Sequence, residues 1–490
     1  MDVLLEAKKR GLLIEPAALN HLKNYENPLK LLEACETHLK GGFIITHAII
    51  DEVLNELNVS EKAGQTTSEK KTDYAPSAAL VKTSLVYEEK KTGRIIGEVK
   101  DFTKYFQNRF AQLSLILKQR RSEHAIVTLS QAKKSIDRNK MRIIGMVNDC
   151  RETKNKHKLI ELEDLDELIP CLVSKNDAKT LELANQVLQD DVLALDGFMS
   201  KGLFIVENIV WPDVPIRQKK LINEDVSIAF ISDTHFGSKN FMQREFQKLI
   251  KFLRGETEDS EEASKIKYLI LAGDIVDGVG IYPNQESELV TKDIYGQYEM
   301  FCDYFKQIPD HIQIIISTGN HDSARTAEPT PRISNEFVRQ LEGKENVLFV
   351  SNPAMVLIHD LKILIYHGTS IDYVIKALPS LKNGYEQPEL VGIEYLKRRH
   401  LSPVYGEKPL IPLPEDEMVI KQIPDILHFG HVHKNGYADY KGTFIVNSGT
   451  WQSRTDFQVK QGHVPTPAQL PVYNLKTGSL KVLNFVGDEQ

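Results

Sequence analysis

Residues 226–237 read VSIAFISDTHFG. An apolar run broken by a single serine passes into a turn that carries Asp233 and His235. Such a run reads as a buried strand, and its first ionisable side chains appear where the strand gives out. The habit recurs four times downstream. KYLILAGDIVDG (267–278) delivers Asp274, IQIIISTGNHDSAR (312–325) delivers Asn320 and His321, LKILIYHGTS (361–370) delivers His367, and DILHFGHVH (425–433) delivers His431 and His433. Helical patterning lies between these runs, so the chain from about Ser227 onward reads as a layered α/β domain. In that architecture the C-terminal strand ends share one rim, where ligands bind. The glycines in these turns let the backbone bend sharply and come close to an ion or a phosphate.

The side chains gathered there are coherent as ligands. Asp, His and Asn suit borderline divalent ions such as Mn²⁺, Fe²⁺ or Zn²⁺, and no thiolate is offered. Asp233 and His235 are two apart, as are His431 and His433. On extended chain, residues i and i+2 project to the same side, so each pair is expected to reach one cavity. His428 has the opposite parity and is expected in the core or on the surface. Seven candidate ligands exceed what one tetrahedral ion takes and suit two ions that share a carboxylate. Two ions roughly 3.5–4 Å apart can clamp both oxygens of an in-line phosphoryl displacement. Asp277 reads as a helix or turn cap. Arg325 reads as a surface salt bridge or a bidentate phosphate contact.

Upstream the pattern differs. Residues 1–57 are mostly helical in pattern, with segments such as PLKLLEACETHLK (28–40), and read as a small helical module. Residues 58–100, including SEKAGQTTSEKKTDYAPSAALVK (60–82), read as a flexible linker. Residues 101–140 read as a basic amphipathic helix and its connection. Phe102, Phe106, Phe110, Leu113 and Leu117 give that helix an apolar face. Lys104 to Arg142 hold ten Lys and Arg against two acidic residues, either a solvated face or a phosphate-contacting patch. Residues 141–215 change period. RIIGMVNDC, HKLIELED, IPCLVS, DVLALDGFM and LFIVENIVW are five short strands, and NDAKTLELANQVLQ is a helix after the third. That order is the pattern of an OB barrel, a module that binds single strands or docks proteins.

The chain has 490 residues, of which 41% are hydrophobic and 26% charged, so it is ordinary globular material for several domains. A net charge of −7 gives no global signature of a nucleic-acid binder, although local placement of charge matters more. Cys35, Cys150, Cys171 and Cys302 are scattered, with no CxxC pair. The apolar runs fall far short of the ~20 residues of a membrane span. MDVLLEAKKRG lacks a signal-peptide pattern. The expected setting is the cytoplasm, with no membrane partner.

The order DTH, GD, GNHD, HG, GHVH resembles the calcineurin-like metallophosphoesterases. The resemblance implies that Asp233, His235 and His433 hold one ion with Asp274, that Asp274 bridges, and that Asn320, His367 and His431 hold the second. It gives His321 no metal and implies that this residue stabilises the scissile phosphate or protonates the leaving oxygen. Asp322 then orients the imidazole of His321 or caps its own turn. GNHDSARTAEPTP (319–331), HGTSIDYVI (367–375) and GHVHKNGYADYKGTFIVNSGTWQSRTDFQ (430–458) are similar to the small subunits of the archaeal family D DNA polymerases. The likeness covers roughly residues 100–490. It implies an α+β multidomain fold, in which a helical module is followed by an OB-fold barrel and then, over 216–490, a phosphodiesterase domain built as a β-sandwich flanked by helices. It also implies a 3′→5′ exonuclease with two divalent ions, Mn²⁺ foremost and Mg²⁺, Fe²⁺ or Zn²⁺ also compatible. The implied partners are a large catalytic subunit and single-stranded or frayed 3′ DNA ends. Residues 1–57 are left either to recruit a replication factor or to serve as a plain appendage. A stand-alone repair nuclease and a catalytically inert scaffold are the alternatives.

Overall fold

A computed structural model describes residues 74–89, 95–136 and 138–486, with parts of 3–53. The chain divides into two units, residues 1–74 and 75–490. The first holds helices Val3–Lys9 and Pro28–His38 around buried Leu22, Leu31, Leu32 and Cys35. It also holds two short parallel strands, β1 (Leu13–Ile14) and β2 (Ile44–Ile45), that an all-helical reading does not include.

The expected linker needs correction where it can be seen. Residues 58–73 and 90–94 lie outside the described residues. Ser77–Leu80, however, form a 3₁₀ turn, and β3 (Leu85–Val86) pairs with Leu357 and Ile358. Tyr87 donates its hydroxyl to Ser351 at 3.1 Å. Polar flanks hide this strand in the sequence, because a two-residue edge strand has no period to detect.

Two six-stranded sheets carry the second unit. In one, β10 (Ser227–Ile231), β11 (Ile266–Ala272), β12 (Gln313–Ser317) and β13 (Val347–Phe349) run parallel, and β19 (Gln469–Asn474) and β20 (Leu480–Asn484) extend it antiparallel. The other has the order β17 (Asn435–Tyr440), β18 (Thr443–Ser448), β16 (Ile426–Phe429), β15 (Leu361–Ile365), β14 (Ala354–Ile358), β3. Every residue of β10, β11 and β16 is buried, as their unbroken apolar runs require. One face of each sheet meets the other in a shared core. Ile228, Phe230, Ile270 and Ile315 pack with Val356, Ile363, Ile426 and Val446. Each such side chain contributes about 1.5–3 kcal/mol by leaving water. The outer face of the second sheet (Leu364, Leu427, Phe429, Ile445) is covered by helices Ile371–Ala377 and Glu389–Arg398. Among the described residues no helix is long and apolar enough to cross a membrane.

Before the sheets comes a closed five-stranded barrel. β5 (Lys140–Glu152), β6 (Lys158–Glu163), β7 (Leu168–Val173), β9 (Leu203–Val210) and β8 (Val192–Ser200) pair in that order, and β8 returns to β5. A short strand β4 (Ile126–Val127) lies beside β5. Helix Ala178–Ala184 follows the third barrel strand. Residues along β7 alternate in burial, with Ile169, Cys171 and Val173 inside.

The helix Val99–Lys118 lies between barrel and sandwich. Leu113 and Leu117 pack on Ile144, Met146, Val192 and Ala194 of the barrel and on Val419 beyond it. Its cations are employed internally. Arg109, 2% exposed, pairs with Asp416 at 2.7 Å and donates to the Pro403 carbonyl. Arg142 forms a bidentate pair with Asp196, and Arg120 donates to the Pro212 carbonyl. At these three positions neither sequence expectation, a solvated face or a phosphate patch, describes what the guanidinium groups do.

Candidate metal centre

The five strand ends meet at one rim, but not in extended conformation. Asp233 (φ 51°), His235 (φ 49°), Asp274 (φ 51°), His431 (φ 76°) and His433 (φ 58°) all occupy the left-handed region. The i, i+2 argument therefore groups the right residues by the wrong geometry. Asp and His tolerate this region better than most side chains, yet each such residue stores about 1–3 kcal/mol of strain. The surrounding backbone holds them there. Asp233 N–H donates to Gly273 O at 3.0 Å, Trp451 N–H donates to Asp233 O at 3.0 Å, and His431 N–H donates to Asp233 Oδ2 at 3.0 Å. Two glycines make the approach possible: a Cβ on Gly319 would stand 2.1 Å from Asp274 Oδ1, and one on Gly430 would stand 2.4 Å from Asp233 Oδ2.

The seven expected ligand side chains come together. Asp233, His235 and His433 form one group, and Asp274, His367 and His431 form another. His433 Nε2 is 3.5 Å from Asp233 Oδ1, and His367 Nε2 is 3.3 Å from Asp274 Oδ2. His235 Nε2 is 3.9 Å from Asp274 Oδ2, which leaves Asp274 between the groups. Asn320 Oδ1 lies 3.0 Å from His367 Nε2, and His431 Nδ1 lies 3.3 Å from the same nitrogen. Ligands about 2.0–2.2 Å from one ion stand roughly 3–3.6 Å from each other, close to these spacings.

The outward partners decide which nitrogens face in. His367 Nδ1 donates to Ala272 O at 2.8 Å. His431 Nε2 is 3.2 Å from Asp372 Oδ2. His235 Nδ1 is 3.1 Å from Asp277 Oδ1, an ion-pair distance at an oblique angle. Each contact puts the ring proton outside and leaves a lone pair inside, the way carboxylates and carbonyls orient metal-bound imidazoles. His433 differs: its Nδ1 faces Gln458 Nε2 at 2.8 Å, so presenting a bare Nε2 requires the Gln458 amide to turn and offer its oxygen. The resulting pocket is short of positive charge. Burial opposes a charged His367, yet the carboxylate of Asp274 pushes that imidazole up to about 10. Burial likewise works against an ionised Asp274, but His367, His321 and His235 hold it well below the usual carboxylate range. Acceptors that crowd acceptors, in a buried pocket that draws in protons, fit a pair of divalent cations.

The remaining expected residues separate. His321 stands beside the cluster, with Nε2 3.9 Å from Asp274 Oδ2 and Nδ1 2.7 Å from the Asp277 carbonyl oxygen. Asp322 does not reach that ring's outer nitrogen. Its carboxylate accepts from the backbone of Ile275 at 3.0 Å and Gly319 at 2.8 Å and from the Tyr298 hydroxyl at 3.3 Å, the turn-capping alternative. Arg325 donates to Pro329 O at 2.8 Å, within its own loop. His428 is buried on β16, with Nε2 2.9 Å from Ser448 Oγ, and burial pushes it down to about 3. Three residues escape the sequence reading: Asp277 as the partner of two histidines, Asp372 and Gln458. Asp277 is itself held by Gln285 and Gln452. The only advance signal is that each lies in a stretch that also carries a ligand or adjoins one.

The cavity over the cluster is lined by His235, Asp274, His321, His431, Tyr282 and Phe457, among others. Residues 228–436 match the DNA polymerase alpha/epsilon family of B-type subunits. The DNA polymerase II small subunit of Archaeoglobus fulgidus is 39% identical over 100% of this chain and 99% of its own length. That of Methanothermobacter thermautotrophicus is 36% identical, covering 99% of each. A solved archaeal phosphodiesterase is a distant likeness, at 13% identity and a TM-score of 0.28 over 53% of this chain and 99% of its own. With relatives matched end to end at this identity, the chain belongs to the family of DNA polymerase II small subunits.

Proposed function

We propose that this chain is the 3′→5′ exonuclease subunit that proofreads for a two-subunit DNA polymerase, its large partner carrying nucleotide addition. The observation that carries the reading is the convergence of seven acceptor side chains, with His321 beside them and tied outward rather than inward. Asp233, His235, Asp274 and His433 would hold one divalent ion, and Asp274, Asn320, His367 and His431 the other. Mn²⁺ is the first choice, because the set mixes hard oxygens with imidazoles. When bound, the pair supplies charge for the phosphoryl oxygens and a water of lowered pKa.

The chain's own groups do the rest. His321 keeps Nδ1–H on the Asp277 carbonyl, so its Nε2 is the atom that can pass a proton to the departing 3′-oxygen. The carbonyl stays a partner whether the ring is charged or neutral. Asp277, Asp372 and Ala272 O hold the ligand rings at fixed angles, so no reorientation is needed when substrate arrives. The cavity, about 280 Å³, lies at the lower edge of the ~300–1,000 Å³ range of ligand pockets. It suits one nucleotide unit rather than a duplex. An unpaired 3′ end would enter, and a mismatched end frays at less cost than a paired one. The barrel's closure order and its helix after the third strand support reading it as an OB fold, placed to dock the partner or to guide the strand.

The test uses the full chain and a single strand labelled at its 3′ or its 5′ end, with and without Mn²⁺. Stepwise release of mononucleotides from the 3′ end, dependent on the ion, is expected. Release from the 5′ end, or equal activity in a chelator, would overturn the reading. A chain that binds its large partner yet cleaves nothing would be a scaffold.

A further inference from the structure

One pair of rings at the mouth of the cavity has no structural task that accounts for it. Phe457 lies on the six-residue helix Asp456–Gln461 and is 56% exposed. Burying such a ring would help the fold, so leaving it in water calls for a partner. Its position is nonetheless fixed. Thr455 caps the helix, and the next residue, Gln458, reaches His433 Nδ1 at 2.8 Å. Opposite stands Tyr282, whose hydroxyl donates to Glu288 at 3.2 Å. Its loop is tied to Asp277 through Gln285, which accepts from Ile281 N–H at 2.9 Å.

The two rings lie at 27° with centroids 6.3 Å apart, and the Tyr282 ring is 6.4 Å from that of His321. A second aromatic pair on the same cavity, Tyr385 and His463, is in close contact at 4.3 Å and 31°. The first pair is thus wider by 2.0 Å (6.3 less 4.3). A flat base needs about twice the ~3.4 Å stacking rise, roughly 6.8 Å, to sit between two rings. The Tyr282–Phe457 gap reaches that with a movement of about half an ångström, which an exposed Phe457 can make.

We infer that Tyr282 and Phe457 form a slot for the unpaired nucleobase at the 3′ end of a DNA strand, seating it beside His321 while its phosphate lies over the ligand cluster. This rests on the nuclease reading above and adds to it what the site recognises. Every base has a flat π-face, so the slot tolerates any sequence, as removal of any mispaired terminus demands.

Binding tests the slot apart from turnover. The full chain is titrated in Mg²⁺ with a single strand that carries 2-aminopurine at its 3′ end and a carbon-bridged last linkage, which cannot be cleaved. Quenching of the aminopurine is expected on binding. A strand with an abasic 3′ terminus should bind roughly 5- to 150-fold more weakly, the range of base–aromatic stacking. Phe457→Ala should erase most of that preference, and Phe457→Tyr should restore it. Tyr282→Leu, with its fold checked by thermal melting, should repeat the loss. Equal affinity for base-bearing and abasic termini, or an unchanged preference in Phe457→Ala, overturns the slot. The second outcome would assign the exposed ring to a protein partner instead. Loss of the nuclease reading would appear separately, as no product from the labelled natural strand.

Discussion

Two regions of this molecule bury charged side chains, and they do so in opposite ways. Around helix Val99–Lys118 the buried cations meet an anion or a carbonyl: Arg109 meets Asp416 and Pro403, and Arg142 meets Asp196. At the strand-end rim, oxygens and imidazole lone pairs meet one another, and their protons are directed away to Ala272, Asp277 and Asp372. Internal matching makes a structural joint. Systematic mismatch of one polarity, held by backbone that bears strain to keep it, makes a place for something from outside. Burial and ionisable content alone do not distinguish the two; the direction of the protons does.

That distinction breaks most readily at Asp274. Asp274→Ala is expected to lower nuclease activity by about 10³-fold or more, the loss of several kcal/mol of charge stabilisation. Melted in a chelator, the variant should be no less stable than the wild type, because one of several crowded acceptors has gone. A clear loss of stability under those conditions would make the rim a structural joint like the first region. Arg109→Ala is the mirror test. It leaves Asp416 buried and unpaired, which costs about 3–5 kcal/mol of stability. Activity per folded molecule should be preserved, as read by chemical denaturation beside a nuclease assay.

Smaller effects sharpen the contrast. Asp372→Asn should weaken ion affinity about 10- to 100-fold by slackening His431, measured by titrating Mn²⁺ against activity or by calorimetry, with the fold unchanged. The gentlest is pH. Burial opposes an ionised Asp416, but Arg109 and His400 hold its carboxyl well below the ordinary range. A group whose folded pKa lies below its unfolded value adds stability that is present above the unfolded value and is lost as pH falls. The melting temperature should therefore drop as pH goes below about 4, and the drop should be shallower in Arg109→Ala. Equal slopes would mean that the pair is not a joint.

Much of this was legible in the chain because buried strands announce themselves. An apolar run that ends in Asp, His or Asn reads the same in the sequence as in space, and five of them lead to one rim. The apolar face of helix 99–118 and the alternation of the barrel strands were visible for the same reason, since burial imposes a period. What stayed hidden depends on distance along the chain. Asp372 meets His431 across 59 residues, Gln458 meets His433 across 25, and Arg109 meets Asp416 across 307. No local pattern marks such pairs. The left-handed turns were missed for another reason. Asp and His are ordinary turn residues, and the i, i+2 spacing that suggests extended chain serves equally well when both residues have positive φ.

Asp277 leaves a genetic signature. It steadies His235 with its carboxylate and His321 with its peptide oxygen. Mutation can delete the first contact, but all twenty amino acids carry the same peptide oxygen. Alleles altered at this codon should therefore lose grip on the ion while the proton donor stays aimed, and they should be rescued by excess Mn²⁺ where alleles of His321 are not.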